Sequence, residues 1–374
     1  MRRLTTAILS VALLATACSS DAPATQAPSP TGAASATAAP TDDAPTAEAT
    51  TSAEPTAVDT PTPTDSPTAA LTDDELRGLQ VNELGRVLVA EWHEIQDTTA
   101  DYKTALPVFR EQLQDLYDRG YRPISVDEFV SGTFPIPAGT SPVLLTFDDS
   151  YREHLFFGDD GAPHPDSVVG ILEAMEAEDP TWRARAVFAF YWPVPFREAD
   201  DDLIAAKFTY LVENGFDLSN HSEHHEDLSS LTNEEATANI ARSQARLQAL
   251  VPDATVTTIT LPFGQYPDDK QVVMAGESDG TRYEHDLAFM VGWMPTRSPH
   301  HLEFDPTAVM RVPAHGPWRG DDPTWDDWLD WLDEPDRRFV SDGDPNVVSY
   351  PADFAEVAGD IDAEVRTFER PDAG

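Results

Sequence analysis

Short apolar runs alternate with amphipathic segments along this chain from about Leu71 onward. The apolar runs have the length of buried strands, and they lie at 85–92, 143–147, 186–191, 256–261, 287–291 and 308–312. Apolar residues spaced three or four apart predict helices over 105–119, 166–178, 202–214 and 233–250. Thr232, with Glu235 three residues on, forms a capping-box pattern before the last helix. Strands that alternate with helices predict an α/β fold with a parallel sheet, open or closed.

The segment before the alternating pattern has a different composition. Ala, Thr, Pro and Ser dominate residues 18–70, and positions 21–70 contain no aromatic residue, Leu or Ile. Such a segment cannot bury enough apolar surface to offset the entropy lost on ordering. We therefore expect a disordered linker at 18–70 and a folded domain at 71–374, a length that suits an α/β barrel.

The first residues resemble an export signal. Arg2 and Arg3 precede an uncharged, mostly apolar run that ends at Ala17 and is too short to span a bilayer. This pattern predicts a secretory signal peptide at 1–17. Residues 14–18 (LATAC) resemble the lipobox of bacterial lipoproteins, which implies lipidation of Cys18 and a chain anchored to the outer face of the cell membrane. Ordinary cleavage with an unmodified Cys18 is the alternative.

The charge and the cysteine content exclude some classes of protein. The chain has 67 acidic and 24 basic residues, a net charge of −43. Nucleic acids and anionic membrane surfaces would be repelled, so neither is expected as a main partner. A single cysteine cannot form an internal disulfide, and stability must therefore come from a packed core. The oligomeric state is left open.

Two consecutive carboxylates follow the apolar run at 143–147. Active sites of α/β domains lie just beyond the carboxyl ends of their strands, where Asp148 and Asp149 stand. Adjacent residues of a strand point in opposite directions, so one carboxylate could bind a metal while the other moves a proton. The alternative is that Asp149 and Ser150 only cap a helix.

A histidine cluster follows a second extended run. His221 and His225 are four residues apart, a spacing that on a helical turn places both rings on one face. Two histidines and one carboxylate make an open ligand set for a catalytic metal. A solvated surface patch is the alternative.

These segments together resemble the polysaccharide deacetylase family, also called the NodB homology domain. Residues 146–149 (TFDD) and 221–225 (HSEHH) are similar to its first two motifs, and 260–264 (TLPFG) to its third. Residues 89–93 and 120–125 look like the lead-in of the branch that deacetylates biofilm poly-N-acetylglucosamine. The resemblance covers about residues 86–315 and implies a distorted (β/α)7 barrel.

The resemblance also implies roles for individual residues. Asp149, His221 and His225 would bind a divalent metal, Zn or else Co or Ni, and Asp148 would be the general base. A loose match to the fifth motif makes His315 the candidate general acid. Residues similar to the third and fourth motifs would contact the substrate, and these are Pro262, Phe263, Gly264 and Trp293.

The sequence departs from the family pattern at two points. Thr260 stands where many members have an arginine that orients the catalytic aspartate, and the aspartate of the fourth motif is absent. His93 follows a strand and could face the barrel mouth. Trp325 and Trp328 have helical spacing with nearby leucines, which favours core packing over a platform for sugar stacking.

The resemblance implies a metal-dependent hydrolase that removes N-acetyl groups from an envelope or extracellular polysaccharide. An O-acetyl esterase on acetylated glycans is the nearest alternative. A degenerate domain that binds wall glycan without cleaving it is a second alternative, since two family residues are replaced.

Overall fold

The computed structural model describes residues 70–315 and 322–370. Cys18, the predicted signal peptide and the predicted linker up to residue 69 lie outside these residues. Within the described part of the chain, no helix combines the length and the apolar character needed to cross a bilayer.

The secondary structure alternates between short strands and helices. The strands are β1 Arg86–Trp92, β2 Glu94–Gln96, β3 Lys103–Ala105, β4 Tyr121–Pro123, β5 Ser141–Phe147, β6 Val187–Phe190, β7 Asp217–Asn220, β8 Thr258–Thr260, β9 Ala275–Ser278, β10 Thr281–Glu284, β11 Leu287–Phe289, β12 Thr296–Arg297, β13 Val312–Pro313, β14 Val347–Pro351 and β15 Glu364–Phe368. The α-helices are α1 Asp73–Leu79, α2 Leu106–Asp118, α3 Val126–Ser131, α4 Val168–Glu178, α5 Asp201–Glu213, α6 Asn233–Leu250, α7 Gln271–Met274 and α8 Trp325–Asp333. The capping box predicted at Thr232 and Glu235 is present at the start of α6.

Parallel strands form one curled sheet. Its order is β11-β8-β7-β6-β5-β1-β13, and every neighbouring pair in this series is parallel. Strand β12 is antiparallel to the start of β1, and β4 pairs with the start of β5. The predicted parallel α/β sheet is therefore confirmed.

A short segment joins the two edges of this sheet. Val309 pairs in parallel with Phe289 of β11, and three residues later Val312 pairs with Ala90 of β1. The crossing is tight, because a Cβ at Gly292 would lie 2.1 Å from the backbone N of Arg311. Only glycine fits there. The sheet is thus the distorted (β/α)7 barrel that the sequence predicts.

Side chains alternate between two cores along the strands. On β1, Leu88, Ala90 and Trp92 belong to a core that packs beneath α2, α4 and α5. Val87 and Val89 belong to a second core that also receives residues from β5, β6 and β11. Because strands from all around the sheet meet in this second core, it fills the interior of the barrel.

Some predicted boundaries differ from the structure. The run at 256–261 forms only the three-residue strand β8, and the run at 308–312 pairs at Val309 and again in β13. Pro262 and Pro313 limit the ladders because proline has no N–H to donate. In α8, Trp325 is buried in the core with Leu329 and Leu332, as their helical spacing predicts.

Candidate active site

Polar side chains replace apolar ones where the inward-facing positions reach the carboxyl ends of the strands. The same two-residue period that places Val87 and Val89 in the barrel interior continues to Glu91 and His93. The buried polar residues at corresponding levels on the other strands are Thr146, Asp148, Ser219, His221, Thr260 and Arg311. The mouth of the barrel is therefore polar although it is buried, and such groups need partners.

Asp149, His221 and His225 meet at this mouth. Their ligand atoms all lie within 4.8 Å of one another. Asp149 Oδ1 is 3.5 Å from Nε2 of His221 and 3.5 Å from Nε2 of His225. Ligands held about 2.1 Å from one ion in a tetrahedral arrangement are separated by about 3.4 Å, so the two spacings suit a single cation.

The two histidines converge through a turn, not through the helical turn that their spacing suggests. Ser222 and His225 have positive φ angles of 65° and 58°. The Asn220 side chain accepts a hydrogen bond from the N–H of Ser222, and the Ser222 hydroxyl accepts one from the N–H of Glu226. Local side-chain bonds therefore replace the helix. His221 and His225 are close together, as their spacing predicts, but they do not lie on a helical turn, so that part of the prediction is wrong.

The hydrogen bonds of His221 leave one ring nitrogen facing Asp149. Nδ1 lies 2.7 Å from the carbonyl oxygen of Thr260, so Nδ1 carries the proton in the neutral ring. Nε2 is buried and has no hydrogen-bond partner. A buried lone pair without a donor fits a metal ligand, since metal-binding histidines commonly hold their other N–H on a carbonyl.

Asp148 is held by an arginine. Nη1 and Nη2 of Arg311 donate hydrogen bonds of 2.8 Å to the two oxygens of Asp148, and both residues are buried. Burial opposes ionisation of Asp148, but the charge and the hydrogen bonds of Arg311 lower the pKa of this carboxyl well below its ordinary value. Asp148 is therefore an anion across the physiological range.

The arginine that orients Asp148 is Arg311, and not a residue at position 260, where many family members have it. The hydroxyl of Thr260 bonds to that of Ser219, and its carbonyl orients His221, so Thr260 supports the second motif. The guanidinium at Asp148 comes instead from the segment that closes the barrel, where Met290 O and Thr146 Oγ1 also accept hydrogen bonds from Arg311.

A third carboxyl group and a third histidine, Glu91 and His93, lie close to Arg311 and Asp148. Glu91 is fully buried, and Oε1 is 3.4 Å from Nη2 of Arg311. Burial raises the pKa of Glu91 well above its ordinary value, more than the opposing charge of Arg311 lowers it. His93 Nε2 lies 3.8 Å from Asp148 Oδ2 and 3.8 Å from Glu91 Oε1. Burial also lowers the pKa of His93.

These groups open into a cavity of about 670 Å³. Its walls carry both candidate catalytic groups and aromatic side chains, and among them are His93, Asp148, Asp149, His221, His225, Tyr102, Tyr151 and Phe263. The volume suits one or two sugar rings, since sites for small ligands measure roughly 300–1,000 Å³.

The predicted substrate-binding residues divide between the cavity and the surface. Phe263 is 57 % exposed, lines the cavity and lies with its ring 4.7 Å from the ring of His225. Pro262 and Gly264 are buried in the same 3₁₀ turn, and they set its shape. Trp293 is 58 % exposed and is not among the residues that line the cavity.

His315 lies beside the cavity, behind His93. The two rings are 5.6 Å apart, and the ring of Tyr102 is 5.2 Å from that of His315. Burial and the neighbouring His93 lower the pKa of His315 to about 4, so the ring is neutral at pH 7. To act as the general acid, His315 must therefore first take up a proton during the reaction.

Backbone strain is concentrated around the site. Positive φ angles occur at non-glycine residues on several of the surrounding segments, namely Asp149, Ser150, Phe196, Ser222, His225 and Phe263. Each such residue costs on the order of 1 kcal/mol, and surrounding contacts must hold it in place. The fold therefore keeps these side chains in orientations that an unconstrained loop would not adopt.

Arg311 and Glu91 are site residues that were not predicted from the sequence, and His93 was predicted only to face the barrel mouth. Each is an ionisable side chain in, directly before or directly after an otherwise apolar strand. Such a residue in a run that must be buried needs a charged or polar partner. That mismatch is the signal that could have found all three.

Comparison with known proteins agrees with this site. Residues 136–277 match the family model described as polysaccharide deacetylase, which covers both candidate metal motifs and the Pro262–Gly264 turn. The match spans less than half of the chain. Over these residues the match confirms the class predicted from the sequence, a polysaccharide deacetylase.

Solved structures with similarity to the chain include two deacetylases. The deacetylase PplD of Streptococcus pyogenes, in complex with acetate, is 16 % identical and matches 61 % of this chain and 92 % of its own, with a TM-score of 0.45. IcaB from Ammonifex degensii is 16 % identical and matches 61 % of this chain and 91 % of its own, with a TM-score of 0.43. No curated protein matches the sequence.

Proposed function

We propose that this protein is a divalent-metal-dependent hydrolase that removes N-acetyl groups from an envelope or extracellular polysaccharide. The observation that carries the proposal is the convergence of Asp149, His221 and His225 within 4.8 Å, with the Arg311-held Asp148 beside them in one cavity. Peptidoglycan, a chitin-like polymer and poly-N-acetylglucosamine are the candidate substrates.

Asp149, His221 and His225 would hold the metal, with zinc as the first candidate and cobalt or nickel as alternatives. One carboxylate and two imidazoles leave positions open for water and substrate. A bound divalent cation would polarise the acetamide carbonyl and lower the pKa of a water molecule. The lone pair on Nε2 of His221 supports this assignment.

Asp148 would accept the proton of the attacking water. Arg311 fixes both oxygens of this carboxylate, so the base keeps one orientation without reorganising during the reaction. His315, which is neutral at rest, would take up by way of His93 the proton that Asp148 accepts from the water, and would deliver it to the nitrogen of the leaving amine. Acetate and a free amino sugar result.

We also propose that residues 1–17 direct export and that Cys18 carries the lipid anchor. The small residues that precede Cys18 and the Pro-rich segment that follows support this proposal. The linker would then hold the catalytic domain away from the membrane, toward the polysaccharide.

Acetate release tests the proposed activity. The purified protein is stripped with a chelator, reloaded with zinc, cobalt or nickel, and incubated with chitooligosaccharide, poly-N-acetylglucosamine, peptidoglycan and acetylxylan. We expect metal-dependent release from one of the N-acetylated glycans. Asp148→Asn should abolish it while metal still binds.

His224→Ala is the matched control within the second motif. The side chain of His224 is 52 % exposed, and its Nδ1 lies 3.2 Å from the carbonyl oxygen of Trp192, away from Asp149. This variant should keep full activity, whereas His225→Ala should lose it. Release from acetylxylan alone would favour the O-acetyl esterase, and binding without release from any substrate would favour a glycan-binding module.

A further inference from the structure

Arg197 is fixed beside the candidate metal group by two tyrosines. Nη1 of Arg197 donates a hydrogen bond of 2.9 Å to the hydroxyl of Tyr191, and the guanidinium carbon lies 4.3 Å from the ring centre of Tyr151. Tyr151 lines the cavity, and the ring of Tyr191 is 5.5 Å from that of His225. The side chain of Arg197 is exposed and does not itself line the cavity, but the ring on which it stacks, Tyr151, does.

This cation has no carboxylate partner. Among residues 70–315 and 322–370, no carboxylate oxygen lies within 4.0 Å of a side-chain nitrogen of Arg197. Lys103, a cation that lines the cavity, is by contrast paired with Glu94 at 3.0 Å. In a chain with 67 acidic residues, an uncompensated cation at the active site requires an explanation.

Arg197 lies in a turn whose backbone is held in an unfavourable conformation. Phe196 and Arg197 have φ angles of 57° and 56°, a conformation that L-residues avoid. Phe196 anchors the turn, since its ring is fully buried against Phe208 and its N–H donates a hydrogen bond of 2.6 Å to the carbonyl oxygen of Ser150. A strained turn that places an unpaired guanidinium over Tyr151 points to a ligand and not to a structural ion pair.

We propose that Arg197 forms an anion subsite, which binds a carboxylate or a phosphate on the glycan close to the acetamido group that is removed. Nη1 is engaged by Tyr191, but Nε and Nη2 make no hydrogen bond within the described part of the chain, and they can bind an oxyanion in the forked geometry that guanidinium favours. The substrate is then an acidic glycan. This inference rests on the proposed deacetylase function.

Two variants of the full-length protein test the subsite. Arg197→Gln removes the charge, and Arg246→Gln is the matched control. Arg246 also stacks on an aromatic ring, at 4.4 Å from the ring centre of Trp192, but Trp192 does not line the cavity, whereas Tyr151 does. The probes are neutral chitotetraose, a tetrasaccharide that contains muramic acid, and a phosphorylated N-acetylglucosamine oligomer. KM and kcat are measured from acetate release, and Kd separately by calorimetry.

We expect Arg197→Gln to raise KM and Kd roughly tenfold or more for one of the two anionic probes, with kcat and the values for chitotetraose unchanged. The probe affected identifies the anion as carboxylate or phosphate. Arg197→Lys should recover part of the affinity, and Arg246→Gln should change nothing. Equal affinity of the wild type for charged and neutral probes, or equal losses for both in Arg197→Gln, would overturn the subsite. Because Kd needs no turnover, charge discrimination without acetate release would refute the deacetylase and leave the subsite standing.

Discussion

At the scale of single residues, Arg311 lies between the two buried carboxylates of the site. It bonds to both oxygens of Asp148 and is 3.4 Å from Glu91. We expect Arg311→Lys to lower kcat roughly tenfold to a hundredfold, because lysine keeps the charge and loses the forked contact that orients Asp148. KM and metal affinity should stay the same, and kinetics with calorimetry measure all three.

A control for Arg311 is available elsewhere in the barrel. Arg183 is partly buried and paired with Glu128, and neither residue lines the cavity. Arg183→Lys should leave kcat unchanged. If both lysine variants lower kcat equally, the effect is one of general stability, and Arg311 has no positioning role.

His315 and His93 can be separated by their kinetics. His315→Gln should lower kcat about a hundredfold at constant KM, because general acids contribute roughly 10²–10⁴ to such reactions. If His93 only lies between His315 and Asp148, His93→Gln should lower kcat less than His315→Gln does. A larger loss of kcat in His93→Gln would assign the acid to His93, which lines the cavity.

Local motifs allowed the sequence to predict part of this site, and only part. Asp148 and Asp149 are adjacent, and His221 and His225 are four residues apart, so short patterns reveal them. Arg311 and Asp148 are 163 positions apart and meet only because one segment closes the barrel. A contact between residues so far apart leaves no short sequence pattern. Arg311 was therefore predicted only as part of the strand at 308–312.

At the scale of elements, Asp217 couples the start of β7 to helix α3. Its carboxylate accepts a hydrogen bond of 2.9 Å from the N–H of Val126, the first residue of α3. Burial raises the pKa of Asp217 to about 6, more than this hydrogen bond lowers it. The folded protein therefore binds a proton that the unfolded chain releases near pH 4.

The sign of the resulting pH dependence follows from this difference. Since the pKa of Asp217 is higher in the folded state, its contribution to stability falls as the pH rises from about 4 to about 6. Asp217→Asn keeps an acceptor for Val126 and has no charge to bury. We expect the variant to be more stable than the wild type above pH 6, by about 3 kcal/mol, and equal near pH 4. Urea unfolding at several pH values measures this, and a constant difference across the range would contradict it.

Hydrophobic periodicity predicted the main elements well because it reports burial. Helix α2 was predicted at 105–119 and runs from Leu106 to Asp118. Periodicity did not predict the ends of the short strands β8 and β13, because prolines and pairing partners decide where the ladder of hydrogen bonds ends. The parallel pair of β14 and β15 was not predicted, because it is held by contacts with distant residues such as Glu83, which accepts the N–H of Ser349.

At the scale of the whole molecule, metal binding should stabilise the fold. The candidate ligands come from the ends of β5 and β7, so an ion joins two strands of the barrel. A ligand at a hundred times its Kd adds about 2.7 kcal/mol, which raises Tm by about 5 °C or more for a domain of this size. Calorimetric scans with and without zinc should show this rise in the wild type and in His224→Ala. The rise should be absent in His225→Ala, and a rise of equal size there would place the ion elsewhere.

The position of the metal itself is the most direct test of the account. Within residues 70–315 and 322–370, two groups of side chains could hold an ion, Asp149 with His221 and His225, or Glu91 with His93 and Asp148. Anomalous diffraction from crystals soaked in zinc locates the ion without any assay. We predict one strong peak in contact with Asp149, His221 and His225. A peak on Glu91, His93 and Asp148, or no peak at either group, would contradict the proposed catalytic centre.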